Sequence, residues 1–336
     1  MATLSDVAAK AGVSISAVSR VLSNAPSARV SQQTRDRIQN AARELDYRPN
    51  FAARALKFSR TNVIALIVPD LTNAIFTELM KGVEDAAAER GYMVLLARAE
   101  GLETRGETIA RLVGEGRVDG VLVQTGDATT AEELEALVDG RIPAVLINSS
   151  HRGKIGSVAL ADAAAARVAV DHLVALGHTR IGLINGFATT DTAVRRGQGF
   201  VDAMADARLP VDQHLVTQLG YEAYQGRAAL RSIMTSDRPP TAIVVANVNA
   251  AIGALAEARE LGLSVPADLS IVAIHDAWTA ENTWPPLSTV KMPLYELGQR
   301  AVASIYDRLE TGATDDIVIS EPAPLLVTRE STALLA

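Results

Sequence analysis

The sequence predicts an all-α helix-turn-helix head followed by an α/β body of two doubly wound parallel-sheet lobes. Three observations carry this expectation. Charge divides by position: residues 1–60 hold two Lys and eight Arg against four acids, a balance of +6, so the rest of a chain of net charge −7 must carry −13. A basic head on an acidic body is expected where one module meets phosphates, although a charged surface can also be merely solubilising. Near the N-terminus, two short helical patterns flank Gly12. From Thr61 onward, short apolar runs alternate with amphipathic segments, as strands buried on both faces of parallel sheets do.

At 336 residues the chain has room for two or three domains at roughly 100–200 residues each. Apolar residues make up 48% and aromatic residues only 4%, so large cores must be built from Ala, Val, Leu and Ile. The absence of cysteine removes disulfides, thiolate metal sites and thiol nucleophiles, and fits a reducing compartment. The opening MATLSDVAAK is not a secretory signal. No apolar run approaches the ~18–20 residues of a membrane helix. A soluble, cytoplasmic protein with no membrane partner is expected.

In the head, Thr3 to Ala11 reads as a short helix. Thr3, Ser5 and Asp6 are candidate caps, and Leu4, Val7, Ala8 and Ala11 share one face. Gly12 permits a tight turn that a side chain would resist, and Val13 plugs the interior. Ser14 to Leu22 forms the second helix, with Ser14 as N-cap and Val18, Val21 and Leu22 turned inward. A third runs from about Ser31 to Leu45, capped by Ser31, with Ile38, Ala41, Ala42 and Leu45 as its apolar stripe. In such units the second helix enters the DNA major groove, but a glycine between two short helices is a weak sign by itself. Pro49 then holds Arg48 extended. The segment from Asn50 to Lys57 is rich in helix formers yet too short to be stable alone.

In the body the first apolar runs are VIALIV, MVLLARA, GVLVQ and PAVLIN, with helices expected near 75–90, 104–116 and 131–139. The alternation resumes with HLVALGHTRIGLIN, HLVTQL, TAIVVAN and LSIVAIHD, with helices near 192–207, 223–235 and 249–262. About ten or more strands would crowd one sheet, hence two lobes. Ligands of open parallel sheets bind beyond the carboxyl ends of the strands. There stand Asp70, Asn73, Gln124, Thr125, Asn148, Asn185, Asn247, His275 and Asp276. Each of these could instead form a turn or cap a helix. Their convergence on one edge of both lobes is what argues for a cleft.

The segments DVAAKAGVSISAVSRVL, VSQQTRDRIQNAARELDYRPN and FAARALK resemble the head and hinge of the lactose-repressor (LacI/GalR) family. The resemblance continues through LIVPDLTNAIF, HLVALGHTRIGLI, ELGLSVPADLSIVAIHD and PPLSTVKMP to RESTALL, in family order and spacing. It implies a DNA-binding domain at 1–47, a hinge at 48–60 and an effector-binding and dimerisation domain at 61–336. The last has a type I periplasmic-binding-protein fold, its N-lobe at about 61–160 and 290–320, its C-lobe at about 161–289 and 321–336. The resemblance further implies a ligand-responsive repressor: a homodimer on pseudopalindromic double-stranded operator DNA, controlled by a small-molecule effector, with no cofactor and no metal.

By the same resemblance, Ile15, Ser16 and Arg20 read bases. Arg suits a bidentate contact to guanine, Ile15 offers only apolar contact, and Ser16 discriminates little. Ser14, Ser19, Asn24, Arg29 and Thr34 match backbone or groove-edge contacts, which set register. A helix-interior hydroxyl is the alternative for Ser19. Asn50, Ala53, Arg54, Leu56 and Lys57 match the hinge helix that pairs over the minor groove. Leu56 is the wedge that unstacks a base step, or else packs against a partner helix. In the body the effector set is Asn73, Phe76, Gln124, Asn148, Arg196, Tyr221, Asn247 and His275. Arg196 is its main charged contact, and Arg195 is expected to be a surface charge.

Departures from the sugar-binding pattern are informative. Asn148 and His275 stand where Asp is common, Val248 follows Asn247 where the family usually has an Asp that serves either structure or ligand, and Ile75 replaces an aromatic. A cleft that keeps Arg196 while losing acids suggests an effector that is acidic, phosphorylated or less hydroxylated than a hexose. Catalysis finds no support: there is no P-loop, no Gly-x-Ser-x-Gly elbow and no HExxH pair. His178 is expected to fix a turn before a strand. A transport solute-binding protein shares the body and is the alternative, but it would need an export signal. The end, RESTALLA, has no heptads for a coiled-coil tetramer.

Overall fold

A computed structural model describes residues 2–22, 30–48, 55, 60–98, 115–125, 143–149 and 155–335. It divides into two compact units, Met1–Thr61 and Asn62–Ala336. The expected helices near 104–116 and 131–139 lie outside the described residues, apart from the two at the end of the first.

The first unit holds α1 (Leu4–Ala11), α2 (Ile15–Leu22) and α3 (Gln32–Glu44). Thr3 and Asp6 cap α1 reciprocally: the Asp6 N–H donates to Thr3 Oγ1 at 3.3 Å, and the Thr3 N–H to Asp6 Oδ2 at 2.8 Å. Gly12 ends α1 at φ 62°, in the left-handed region, where its N–H reaches the Ala8 and Ala9 carbonyls. Val7, Ala8, Ala11, Val18, Val21, Ile38, Ala41 and Ala42 form one buried cluster. The Lys10–Glu44 pair at 2.7 Å ties α1 to α3 on the outside.

Among the described residues, the second unit contains two six-stranded sheets. The first is formed by β1 (Val63–Val68), β2 (Met93–Arg98), β3 (Gly120–Val123), β4 (Ala144–Ile147), β5 (Gly156–Leu160) and β11 (Asp316–Ile319), in the order β11-β5-β4-β3-β1-β2. The second is formed by β6 (Ile181–Asn185), β7 (Val216–Gln218), β8 (Ala242–Val245), β9 (Ser270–Ile274), β10 (Ser288–Lys291) and β12 (Leu325–Val327), in the order β12-β10-β9-β8-β6-β7. All pairings are parallel except β10 with β12. The order reverses beside β1 in one sheet and beside β6 in the other. Such reversals open a crevice at the carboxyl ends of the strands.

Helices α4 (Phe76–Glu89) and α10 (Leu294–Thr311) pack together on the first sheet. The second sheet carries α5 (Asp162–Ala175), α6 (Asp191–Asp206), α7 (Ala223–Met234) and α8 (Val248–Glu260), and the short α9 (Trp278–Glu281) follows β9. Helices α7 and α8 touch through Gly226 and Gly253. A Cβ on Gly253 would lie 1.8 Å from the Ala223 carbonyl oxygen, which is backbone and cannot swing away. Gly253→Ala is expected to destabilise the body by about 1–3 kcal/mol, read as a lower denaturant midpoint.

The apolar run HLVALGHTRIGLIN is not one element. HLVA closes α5, Gly177 turns at φ 88°, and IGLIN is β6. The Ala-rich α5 buries Asp162, Ala165, Ala166, Ala169, Val170 and Leu173 on one face, but Ala163, Ala164 and Val168 on its other sides blur the helical period in the sequence. His178, in the turn before β6, does more than shape it. Its Nδ1 meets Thr241 Oγ1 at 2.9 Å, and its Nε2 meets Ser270 Oγ and the Ala333 carbonyl at 3.1 Å. It thereby moors the C-terminal segment to the second sheet. Among the described residues, no helix is long and apolar enough to cross a membrane.

Candidate functional site

In the head, burial of Val18 and Val21 turns the opposite face of α2 to solvent, with Ile15, Ser16 and Arg20 all exposed. Ile15 is 50% exposed, an aliphatic side chain left in water at the first turn. Ser14 Oγ accepts the Ala17 N–H at 3.2 Å and lies 3.0 Å from Ser16 Oγ, so it caps α2. Arg20 Nε donates to the Ser16 carbonyl at 3.2 Å, which lays the guanidinium along the helix face. Ser19 is half-buried. Thr34 is held at the start of α3 by Ser31, N–H to Oγ at 3.2 Å and hydroxyl to hydroxyl at 3.0 Å. Asn24 and Arg29, and the hinge residues Asn50, Ala53, Arg54, Leu56 and Lys57, lie outside the described residues.

In the body, residues following β1, β3 and β4 line one cleft with residues following β6, β8 and β9. Its cavity volume is about 90 Å³. All eight residues of the expected effector set line it: Asn73, Phe76, Gln124, Asn148, Arg196, Tyr221, Asn247 and His275. Of the other residues read after strands, Asp70 and Thr125 also line it. Asn185 instead ties its own loop, donating to the Ala193 carbonyl and accepting the Gly186 N–H, both at 2.9 Å. Asp276 pairs with Arg329 at 2.9 Å and accepts from Thr289 at 2.8 Å.

The turn-and-cap alternative for the asparagines holds alongside their place in the cleft. Asn73 Oδ1 accepts the Ile75 N–H at 3.2 Å, and Asn247 Oδ1 the Asn249 N–H at 2.7 Å. Asn148 Oδ1 accepts the Leu160 N–H at 3.2 Å and Arg195 at 3.3 Å. Each oxygen already accepts from the protein, Asn148 Oδ1 twice, and the NH2 groups are the donors these side chains can offer a ligand. Asn148 and His275 have φ of 52° and 70°. This left-handed region is costly for residues with a Cβ, and both sit at strand ends in the cleft.

Arg196 is the hub. It is 2% exposed. Its Nε donates to Asp162 Oδ1 at 2.8 Å, one terminal nitrogen to the Ala246 carbonyl at 2.5 Å and the other to His275 Nε2 at 2.7 Å. Its guanidinium carbon lies 5.7 Å from the Tyr221 ring centre. Tyr221 is fixed by its hydroxyl on Thr192 Oγ1 at 2.9 Å and by the bare backbone of Gly186, where a Cβ would lie 2.2 Å from the ring. Burial raises the Tyr221 pKa and outweighs the pull of Arg196. Burial, and then the Arg196 charge, hold His275 well below the ordinary histidine value.

Two sequence expectations need correction. Arg195 is not a surface charge. It contacts Asp162 Oδ2 at 2.6 Å, Asp191, and across the cleft the Asn148 carbonyl and Oδ1 at 3.3 Å. Burial opposes its charge, but attraction and hydrogen bonding to Asp162 and then Asp191 raise its pKa. Nor is the cleft short of acids. Asp162 is fully buried between both arginines, and Asp70, Asp191 and Glu222 line the cleft. Sequence reasoning missed Asp162, Asp191 and Glu222. For Asp162 the available signal was an acid heading an otherwise apolar helix directly after a strand, where the helix dipole favours it. Among the described residues, no group of three or more potential metal ligands occurs.

Comparison with known proteins agrees with both halves. Residues 3–50 match the family model "Bacterial regulatory proteins, lacI family", and residues 170–332 match a periplasmic binding protein-like domain. The chain is 34% identical to the HTH-type transcriptional regulator DegA of Bacillus subtilis, over 99% of this chain and 98% of DegA. It superposes on the Lac repressor dimer bound to operator and the anti-inducer ONPF with a TM-score of 0.82 at 28% identity, covering 99% of each chain. On the complex of the regulator CelR with cellobiose the TM-score is 0.74 at 27% identity, over 98% of this chain and all of that one. A basic helix-turn-helix joined to a two-sheet ligand-binding body, with relatives matched end to end, makes this chain a member of the lacI family of bacterial regulatory proteins: a DNA-binding transcriptional repressor, not an enzyme.

Proposed function

We propose that the chain acts as a cytoplasmic homodimer on a pseudopalindromic operator, its affinity set by a sugar-class effector held in the cleft between the two lobes. What carries this is the convergence of donors and acceptors from both sheet edges on one cleft, in a chain that also bears a DNA-reading head. Operator DNA in one structural relative and cellobiose in another supply the partner classes. A two-fold protein reads a two-fold site, one head per half-site. Ile15, Ser16 and Arg20 are the base readers, and Ser14, Ser19, Asn24, Arg29 and Thr34 set the register. Asn50, Ala53, Arg54, Leu56 and Lys57 form the paired minor-groove hinge. Effector binding changes the angle between lobes, and with it the spacing of the two linkers near Arg60.

An uncharged effector is favoured over an anionic one. The Arg196 charge is compensated by Asp162, Arg195 is compensated by Asp162 and Asp191, and the cleft lining adds Asp70 and Glu222. A phosphate or carboxylate would have to displace Asp162 or meet like charge. Calorimetry with neutral monosaccharides beside their phosphates tests this: exclusive binding of the phosphates would overturn it. For the DNA half, the full chain should shift selected genomic fragments and residues 62–336 should not. Leu56→Ala should lower DNA bending and specific affinity while leaving sugar binding intact. Unchanged bending by that variant would remove the wedge from the account.

A further inference from the structure

The ring of His275 is placed so that its proton position follows from its neighbour. The residue is 1% exposed, and its Nε2 lies 2.7 Å from a terminal nitrogen of Arg196. A guanidinium has donors and no acceptor, so Nε2 must accept. The proton of the neutral ring therefore sits on Nδ1. That Nδ1 is buried and has no hydrogen-bond partner among the described residues. A buried donor without a partner is costly and rarely tolerated without a reason. Here the residue lines the cleft, at a strand end, with its backbone in the left-handed region at φ 70°.

We propose that His275 determines effector specificity by donating its Nδ1 hydrogen to an acceptor oxygen of the effector, such as a hydroxyl, ring or carbonyl oxygen. This rests on the cleft being the effector site. Arg196 acts as the positioning residue: by occupying Nε2 it makes the ring a donor toward the ligand and never an acceptor. Burial and the Arg196 charge both disfavour the imidazolium, so the group stays neutral and does not attract an anion as a cation would. Asn247 adds a second donor to the same wall through its NH2, while its Oδ1 already accepts the Asn249 N–H. The wall of the second lobe thus presents donors, where a carboxylate at position 275 would present acceptors. The effector class that follows is an uncharged molecule showing acceptor oxygens to this wall, with its own hydroxyl hydrogens directed to Asp70, Asp191 or Glu222 of the lining.

The two conservative replacements separate the ring nitrogens. The Asn side chain sets its NH2 near the place of Nδ1, and the Gln side chain sets its carboxamide near the place of Nε2. His275→Asn keeps the donor to the effector and gives up the acceptor for Arg196; His275→Gln does the reverse. A panel of neutral monosaccharides serves as probe, with affinities measured by calorimetry on the full chain. His275→Gln should lose about tenfold or more in affinity for any sugar the wild type binds, and His275→Asn should stay within a few-fold. The opposite order overturns the proposal. Nitrogen-15 histidine spectra of the ligand-free wild type decide the proton position independently, even if either variant fails to fold. A neutral ring protonated on Nδ1 is expected, and an Nε2–H tautomer or an imidazolium at neutral pH refutes the proposal. Failure of every sugar in the panel to bind the wild type counts against the sugar-class effector of the proposed function, while the spectrum still decides the donor.

Discussion

Asp162→Ala should destabilise the body by about 3–5 kcal/mol, the usual cost of breaking a buried ion pair by removing one partner. The carboxylate is fully buried, Oδ1 on Arg196 and Oδ2 on Arg195. Its removal strands the Arg196 charge at 3% side-chain exposure, with a carbonyl, an imidazole nitrogen and a ring face as its remaining company. The Asp162 side chain opens α5 in the second lobe, while Arg195 also reaches Asn148 at the end of β4 in the first. The loss should therefore loosen the cleft as well as lower stability. Urea unfolding reads the energy as a shift in midpoint. A double variant, Asp162→Leu with Arg196→Met, should recover part of the loss, because it removes the buried charge along with its partner. Equal stability of wild type and Asp162→Ala would mean that the pair is not buried in solution.

Arg20→Ala should cost about 1–3 kcal/mol of discrimination at one base position in each half-site, the worth of a bidentate arginine–guanine contact. The effect should be on preference more than on overall grip, since most of the affinity of such proteins comes from phosphates. Lys57→Ala supplies the contrast. It should weaken binding to all duplexes about evenly and reduce the dependence on salt. Selection from a random duplex library reads both: Arg20→Ala should flatten one column of the enriched motif, and Lys57→Ala should leave every column in place. A flattened motif from Lys57→Ala would reverse the two assignments.

The elements with strong local signals were legible in the sequence. The head helices announced themselves through Thr3, Gly12, Ser14 and Ser31, because caps and left-handed turns are local chemistry. The strands from VIALIV to LSIVAIHD stood out as continuous apolar runs. Elements lacking such contrast were missed. GSVAL is β5, yet its Gly-Ser start does not read as a strand, and α5 is apolar on too many sides to show a helical period. The short strands β10, β11 and β12 and the long α10 also went unread, since their sequences mix small, polar and apolar residues.

The cleft shows the same division. Residues at strand ends could be read because the topology of parallel sheets gathers them. The pairing of Arg195 and Arg196 with Asp162 could not, because it joins positions 33 and 34 residues apart through the start of one helix and the first turns of another. That omission had a chemical consequence. Counting acids only at the strand ends left Arg196 looking uncompensated and suggested an anionic effector, whereas the buried Asp162 satisfies it.

Coupling between cleft and operator is the central claim, and a titration of labelled operator at one fixed salt concentration tests it most directly. The duplex is the site enriched by selection, and the titration is run with and without the neutral sugar that most raises the melting temperature of the chain. A change of about 5–150-fold in operator affinity is expected, with the same factor returned when sugar affinity is measured with and without operator. Identical operator affinity at saturating sugar would contradict the account.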